Sequence, residues 1–472
     1  MRRFMIVFML IPTGLWAQQP TPTPTSNPGV QNEEKKEPPT ESGKFKLHCL
    51  TEFKVVGCAE VLFTGQPLHI AVGSIAPQNG FGAGLAYVGH KDSDTWSNSW
   101  SADAVGSNNG SWRAGVYLKF VPTKIEKSDS TMGVPKDVGE VEAYHEYPVY
   151  NLYAQSISLN KLTFFGEGPA TTTAGRSFFG MTEHIFGGDM IRPIYQKLNL
   201  VFLAELNGRL PDIRPSTGEP SPTIGALYTP LTAPGLAHQP FFLQPGVGLR
   251  VRPSAANNLL HFDYSTMYQP FIDTDGSGFS FQRLTFDLYQ EISIHHTNMY
   301  IKRPTNDPND CREDPSDDQS ICPHATTTSV QGTLGLRVFT SLSMVPGTNV
   351  VPFYFQPTLG GADLNGNASL SSYQDYRFRA PNVLLLQESF DHSIGNWPLG
   401  ITLRADQGKV ALLRGDLGSN PWRHSYAAGI NLRAGGFPMV YLLFAFGGHE
   451  GTHTIVNVNT SLLGSSARPS LF

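Results

Sequence analysis

Apolar side chains recur on alternate residues along most of this chain, in short stretches separated by turn-forming residues. In residues 112–120, Trp112, Ala114, Val116, Leu118 and Phe120 share one face of an extended segment, and Arg113, Gly115, Tyr117 and Lys119 share the other. In residues 198–207 the apolar set is Leu198, Leu200, Phe202, Ala204 and Leu206, with Asn199, Glu205 and Asn207 facing away. Leu243, Val247, Leu249 and Val251 oppose Gln244, Arg250 and Arg252. Leu260, Phe262, Tyr264 and Tyr268 oppose His261, Asp263 and Ser265, and Leu284, Phe286, Leu288 and Ile292 oppose Arg283, Asp287 and Glu291. Near the end, Val440, Leu442, Phe444 and Phe446 share a face, and Val456, Val458 and Thr460 oppose Asn457 and Asn459.

A period of two sets one face of a strand against an apolar medium and the other against a polar one. A soluble sandwich has the same period, but such a domain stops near ~100 residues. Here the alternation spans nearly the whole chain, and its polar face repeatedly carries both charge signs, as a hydrated interior would. The pattern predicts an all-β fold, a transmembrane antiparallel β-barrel of the outer-membrane type, with segments that count to about 16 strands. No stretch after the N-terminus reaches the ~18 consecutive apolar residues of a spanning helix, and a closed barrel is the other way to satisfy every backbone group in a bilayer.

The N-terminus fits export. Arg2 and Arg3 precede an apolar run from Phe4 to Trp16, and Ala17 stands before Gln18, which is the layout of a cleaved signal peptide. The expected domains are a signal peptide (1–17), a disordered Pro/Thr-rich linker (18–43), a short periplasmic segment carrying a disulfide (44–78) and the barrel (79–472). The expected location is the outer membrane of a Gram-negative-type bacterium. Composition agrees: charged residues are 15%, aromatics 11%, and the chain has 47 Gly and 36 Pro. A net charge of −5 gives no reason to expect nucleic acid as a partner.

Four cysteines form two pairs close in sequence, Cys49 with Cys58 and Cys311 with Cys322. Export to an oxidising compartment predicts two short-range disulfides; free thiols are the alternative, and no Cys-x-x-Cys spacing suggests zinc. The second pair lies in residues 295–327, which the strand count makes a long periplasmic insertion holding Asp307, Asp310, Glu313, Asp314, Asp317 and Asp318. A calcium site and a solvated acidic loop are both readings; the Asp-x-Asp-x-Asp-Gly spacing is missing, so the loop is preferred. No metal or other cofactor is expected elsewhere. His449-Glu450-Gly451-Thr452-His453 matches H-E-x-x-H, but its glycines and the following Thr454, Ile455 and Val456 favour a strand, which would separate the histidines by ~13 Å. Asp273-Thr-Asp275-Gly276-Ser-Gly278 reads as a hairpin turn rather than a calcium loop. His295-His296 lacks a carboxylate at ligand spacing, and no G-x-S-x-G elbow occurs. The chain is not expected to be an enzyme.

One stretch resembles a known family. Pro352-Phe-Tyr-Phe-Gln-Pro-Thr-Leu-Gly-Gly361 leads into Leu370-Ser-Ser-Tyr-Gln-Asp-Tyr-Arg-Phe-Arg-Ala-Pro-Asn382 and a Leu-rich strand reaching Glu388. This resembles the lumen loop of the BamA/TamA-type outer-membrane proteins, the bacterial surface antigen family. Ala405-Asp-Gln-Gly-Lys-Val410, Phe178-Phe-Gly180 and Thr163-Phe-Phe-Gly166 are similar to further elements of that family. The resemblance covers roughly residues 77–472 and is most specific in the last third. It implies a sixteen-stranded barrel with a loop folded into its interior. Two departures stand out: the loop's Arg-Gly falls on Ser371-Ser372, and no POTRA repeats precede the barrel. In the family those parts handle client chains, so the resemblance speaks for the membrane domain more than for assembly-factor activity.

With Ser371-Ser372 unable to supply a cation, Arg377 and Arg379 are expected to contact inward acids such as Asp287, Glu291 or Asp406, because charge pairs gain strength in a partly dry interior. Arg250, Arg252, Arg283, Arg337, Arg404 and Arg433, with Asp287 and Glu291, are the candidates for interior-facing charge. They either line a pore or pair with one another in a plugged barrel. The expected function is a pore or a role in outer-membrane biogenesis; a diffusion porin or specific channel is the alternative, and an outer-membrane enzyme a weaker one. Outer-membrane lipid is the expected partner, beside other envelope proteins or a transported substrate.

Overall fold

The computed structural model describes residues 67–122, 147–216, 222–255, 259–301, 324–395, 397–434, 437–448, 450–458 and 468–471. Cys49, Cys58, Cys311, Cys322 and the acidic residues between the last two lie outside the described residues, as do the signal peptide and linker. The chain divides into two units at His69/Ile70, and the second unit carries the architecture described below.

The strands are β1 (Leu68–Ser74), β2 (Phe81–Asp92), β3 (Trp96–Ser107), β4 (Trp112–Pro122), β5 (Val149–Phe164), β6 (Ser177–Tyr195), β7 (Leu200–Pro215), β8 (Phe242–Val251), β9 (Ser254–Ala255), β10 (Leu260–Asp273), β11 (Phe281–Ile301) and β12 (His324–Met344). Four two-residue strands follow: β13 (Thr358–Leu359), β14 (Gly361–Ala362), β15 (Ala368–Ser369) and β16 (Phe378–Arg379). The wall then resumes with β17 (Asn382–Ser393), β18 (Leu399–Ala411), β19 (Arg423–Ala434), β20 (Phe437–Gly448) and β21 (Gly451–Val458).

All but β13–β16 join one 17-stranded meander in which sequence neighbours pair. Both β8 and β9 pair with β10, so they act as one interrupted strand, and among the described residues the wall has sixteen staves. Helix is minor: α1 (Ile224–Leu227) is a single turn, and among the described residues no helix is long and apolar enough to cross a membrane. The architecture is an all-β barrel wall of the outer-membrane type. The β1–β2, β5–β6, β12–β17 and β20–β21 connections lie at one end, here the upper end, and β21 finishes at the lower.

The two faces of this wall invert a soluble protein. Val116, Leu206, Val247, Leu288, Ile430, Leu442 and Phe444 are exposed on the outer face. On the inner face Tyr117, Asn207, Gln244, Gln269, Arg283, Thr402 and Asn431 are buried. A continuous apolar exterior around a buried polar interior is what a bilayer as solvent selects. Exposed aromatics gather toward the strand ends, with Trp96, Tyr195 and Trp397 at the lower end and Phe81, Trp112, Tyr426 and Phe446 toward the upper, as in interfacial belts.

The structure moves some boundaries. The alternation placed Leu198 and Asn199 in a strand, but Gln196–Leu198 is a 3₁₀ turn and Asn199 adopts a left-handed φ of 46°. A tight connection needed that conformation, which Asn tolerates better than most residues. Residues 295–327 are not one insertion: β11 and β12 stay in register from His295–Val330 out to Ile301–His324. Their Thr-rich, weakly alternating sequence hid the strand ends. The first strand begins at Leu68, inside the segment read as 44–78. Residues 274–280 do form the hairpin turn, with the Asp273 carboxylate accepting from the backbone N–H of Asp275 at 2.9 Å and Phe279 at 3.2 Å.

Candidate functional site: a loop held inside the wall

The 37 residues from Val345 to Pro381 connect β12 to β17 and fold back against the inner face. Paired β13–β16 and β14–β15 make a hairpin within a hairpin. Its tip is closed by Asp363, whose carboxylate accepts from the backbone of Asn365 (2.9 Å) and Asn367 (2.8 Å) and from the Asn367 side chain (2.9 Å). Gly361 turns the chain at φ 60°, where an added Cβ would stand 2.4 Å from the Asp375 Oδ1.

An aromatic plug packs the upper interior. Phe353, Tyr354 and Phe355 form a 3₁₀ turn with all three side chains buried. They pack against Phe164, Phe179, Phe242, Phe271 and Phe281, one from each of five wall strands. Ring centroids lie 5.1 Å apart for Phe164–Phe353, 5.2 Å for Phe179–Phe353 and 5.0 Å for Phe242–Phe355, mostly edge-to-face or tilted. Arg283 reaches up from β11 to donate to the Phe355 carbonyl and lies over the Phe271 and Phe281 rings. The alternating sequence could not reveal this collar, because these phenylalanines occupy the polar face of their strands.

The loop tip meets the wall through small residues and backbone. The Asp406 carboxylate accepts from Gln387 at 3.1 Å and lies beside the backbone of Leu370 and Ser371. Gln387 also donates to the Ala368 carbonyl at 3.0 Å, and the Ser372 N–H donates to the Ser425 Oγ at 2.8 Å. Leu359 and Leu370 sit with Val383, Leu385 and Val410. Gly408 permits this approach, since a Cβ there would lie 2.8 Å from the Leu359 Cδ1. With serines at 371 and 372, the interior acid Asp406 is met by the Gln387 side chain rather than by a loop cation.

The two arginines work at the loop's base. Arg377 donates through Nε to Glu450 at 2.5 Å and through Nη1 and Nη2 to the Thr171 Oγ1 and carbonyl, both at 2.9 Å. It also stacks over Phe165 and Phe378. Arg379 donates to the Phe353 carbonyl at 2.7 Å. Tyr376 donates to the Pro77 carbonyl at 3.0 Å. One short segment thus ties together the β1–β2, β5–β6 and β20–β21 connections, which are far apart in strand order. Burial pushes the Glu167 carboxyl up to about 7, opposed by a hydrogen bond from Gln356 and by Arg379. Burial likewise brings Arg379 down to about 10 and raises Asp375.

The loop does enter the interior, but its arginines do not reach the acids expected of them. Asp287 lies six residues below the start of β11, about 20 Å at ~3.3 Å per residue, whereas Arg377 and Arg379 sit at the upper end. Asp287 pairs instead with Arg337 at 2.7 Å, and Glu291 accepts from Tyr289 at 2.6 Å. Asp406 lies beside the loop's backbone. Arg250 faces inward on β8, Arg252 pairs with Asp263 at 2.7 Å, Arg404 lies over Tyr441, and Arg433 is buried on β19. The pairs that exist favour a plugged interior over a line of free charges. The sequence reading missed Arg209, which sits fully buried with Glu183 at 2.9 Å. The H-E-x-x-H stretch spans the β20–β21 turn: Glu450 is engaged by Arg377, His453 lies in β21, and His449 lies outside the described residues.

No protein-family profile matches this chain. No curated protein matches it either. Among solved structures, it is similar to BamA from Haemophilus ducreyi lacking POTRA domains 1–3, at 9% identity and a TM-score of 0.43 over 82% of this chain and 66% of that one. It is similar in the same measure to CdiB from Acinetobacter baumannii, at 10% identity and a TM-score of 0.43 over 81% of this chain and 58% of that one. The chain spans less than two thirds of each of those structures. The fold assignment stands on this chain's own strand pairing and its inverted faces.

Proposed function

We propose that this chain is a non-enzymatic outer-membrane barrel of the BamA/TamA type, acting on other envelope polypeptides as an assembly factor or gated conduit. Its interior is closed at rest by its own loop. The observation that carries this reading is the seating of residues 345–381 on the inner wall, with the aromatic plug packed among wall phenylalanines and the tip hydrogen-bonded to Gln387 and Ser425. A diffusion porin needs a standing aqueous path, and an interior packed with buried phenylalanines does not supply one. The apolar outer face is the lipid contact, and the lower end, where the chain enters β1 and leaves β21, faces the periplasm. Fractionation of the source bacterium tests location: the protein should sediment with the outer membrane and migrate heat-modifiably on gels. Deletion then tests role. Loss of other outer-membrane or exported proteins, with small-solute uptake unchanged, is expected. Altered solute uptake with an unchanged envelope proteome would establish the porin reading instead.

A further inference from the structure

A second polypeptide segment lies in the same interior. Beyond β21 in sequence, the Arg468 guanidinium pairs with Asp103 on the inner face of β3 at 2.8 Å. The Ser470 carbonyl accepts from the Arg209 Nη2 at 2.8 Å and the Leu471 carbonyl from Nη1 at 3.3 Å. The Leu471 N–H donates to the Asn365 Oδ1 of the loop tip at 2.9 Å, and the Leu471 side chain is buried in the same apolar cluster as Leu364 and the plug aromatics.

The wall is built to receive such a segment. Arg209 is fully buried, and its other donors are committed to Gln244 through Nε and to Glu183 through Nη1. A guanidinium cannot shed its proton in such a place, so its remaining N–H groups demand acceptors, and main-chain carbonyls fill that need without reference to sequence. Asp103 is likewise buried, held by Arg113 at 2.9 Å and Tyr117 at 3.2 Å, and open to one further cation. Pro469 has no N–H to satisfy and favours an extended backbone. The segment also bridges wall to loop: Arg209 holds its carbonyls and Asn365 its N–H, so the loop tip cannot leave while the segment is in place.

We propose that Asp103, Arg209 and Asn365 form an interior binding site for an extended polypeptide carrying a cation and, three residues on, an apolar side chain. Residues 468–471 occupy it as an intramolecular plug that locks the loop. A polypeptide of that pattern entering from the lower end competes for the site and frees the loop. The inference goes beyond the proposed envelope role, and its readout is the seating of the segment, so the two can fail separately.

The test uses the full chain in lipid vesicles, with the four native cysteines changed to Ser and Leu364→Cys introduced, a buried tip position in the same apolar cluster as Leu471. Adding Arg468→Glu and Leu471→Asp together should speed labelling of that cysteine by a membrane-impermeant maleimide about tenfold. A synthetic peptide of sequence Ala-Arg-Pro-Ser-Leu at millimolar concentration should restore slow labelling, and the same peptide with Glu for Arg should not. Equal labelling rates with and without the two substitutions, or no protection by the peptide, overturn the proposal. Should the double variant lose heat-modifiable migration, Asn365→Cys with Leu471→Cys, keeping Leu364, replaces it. Oxidation is then expected to join the two cysteines, and failure to join them in the folded protein overturns the seating.

Discussion

Arg377 shows how one side chain can fix a whole loop. Its planar fork serves three acceptors on two connections, Glu450 and two atoms of Thr171, while its faces stack on phenylalanines. Lys has no such fork. In a double-mutant cycle of Arg377→Ala and Glu450→Ala, followed by urea unfolding in vesicles, each single change should cost about 3 kcal/mol because it strands a buried charge. The pair together should cost clearly less than the sum. Additive losses would mean that the contact does not form. Glu167 gives the loop's neighbourhood a pH dependence. Its carboxyl is raised to about 7 by burial, so the folded state holds a proton that the unfolded chain releases near the ordinary glutamate value. Stability should therefore fall as pH rises between roughly 4.5 and 7, by at most about 1.4 kcal/mol per pH unit. Glu167→Gln should flatten that slope, and an unchanged slope in the variant would assign it to another group.

At the scale of elements, the plug and the tip are held by different physics. The 3₁₀ turn of Phe353, Tyr354 and Phe355 is a hydrophobic stopper, whereas the tip around Leu370 and Ser371 is held by a polar latch of Gln387, which also donates to Asp406, and Ser425. Phe355 touches rings from three wall strands, Phe242, Phe271 and Phe281. Phe355→Ala should destabilise the protein by about 3–5 kcal/mol through lost contacts and the cavity left behind. It should also raise ion conductance in planar bilayers, because a void beside the Arg283 guanidinium admits water. A destabilised variant as tight to ions as the parent would mean that the stopper stabilises the fold without sealing it. The latch is legible in part. The Asp-x-Gly-Lys-Val stretch placed Asp406 and Gly408 together, and the structure uses both, one to hold Gln387 beside the tip and one to let the tip approach. Which loop atoms would lie beside Asp406 was not legible, because main-chain groups leave no mark in a sequence.

Across the molecule, the wall and its contents follow opposite rules. The wall exposes Leu, Val and Phe and turns Asn, Gln and Arg inward, while its contents are a compact aromatic core of the kind a soluble domain hides. Such an arrangement needs a chain that returns on itself. Pro77, Thr171 and Glu450 lie on three connections well separated in sequence, yet all bind the adjacent residues Tyr376 and Arg377. Arg468, beyond the last strand, meets Asp103 near the first. These contacts make the interior a shared enclosure in which loop and wall stabilise each other.

The sequence by itself determined the wall. Side-chain alternation is a local property, since successive Cβ atoms of a strand point to opposite faces whatever the rest of the chain does. The outward sets around Val116, Val247, Leu288 and Leu442 could therefore be read residue by residue. Only the tertiary structure decided the interior. Whether Arg377 met Asp287 or Glu450 depended on depth along strands far apart in sequence. Whether Phe355 lay in water or against Phe242, Phe271 and Phe281 depended on where its loop folded. The partners of Asp103, Arg209 and Asn365 are more remote still, brought together from β3, β7, the loop tip and the segment after β21. Pairing across an enclosure is set by curvature, register and loop length together, and no local pattern encodes their product.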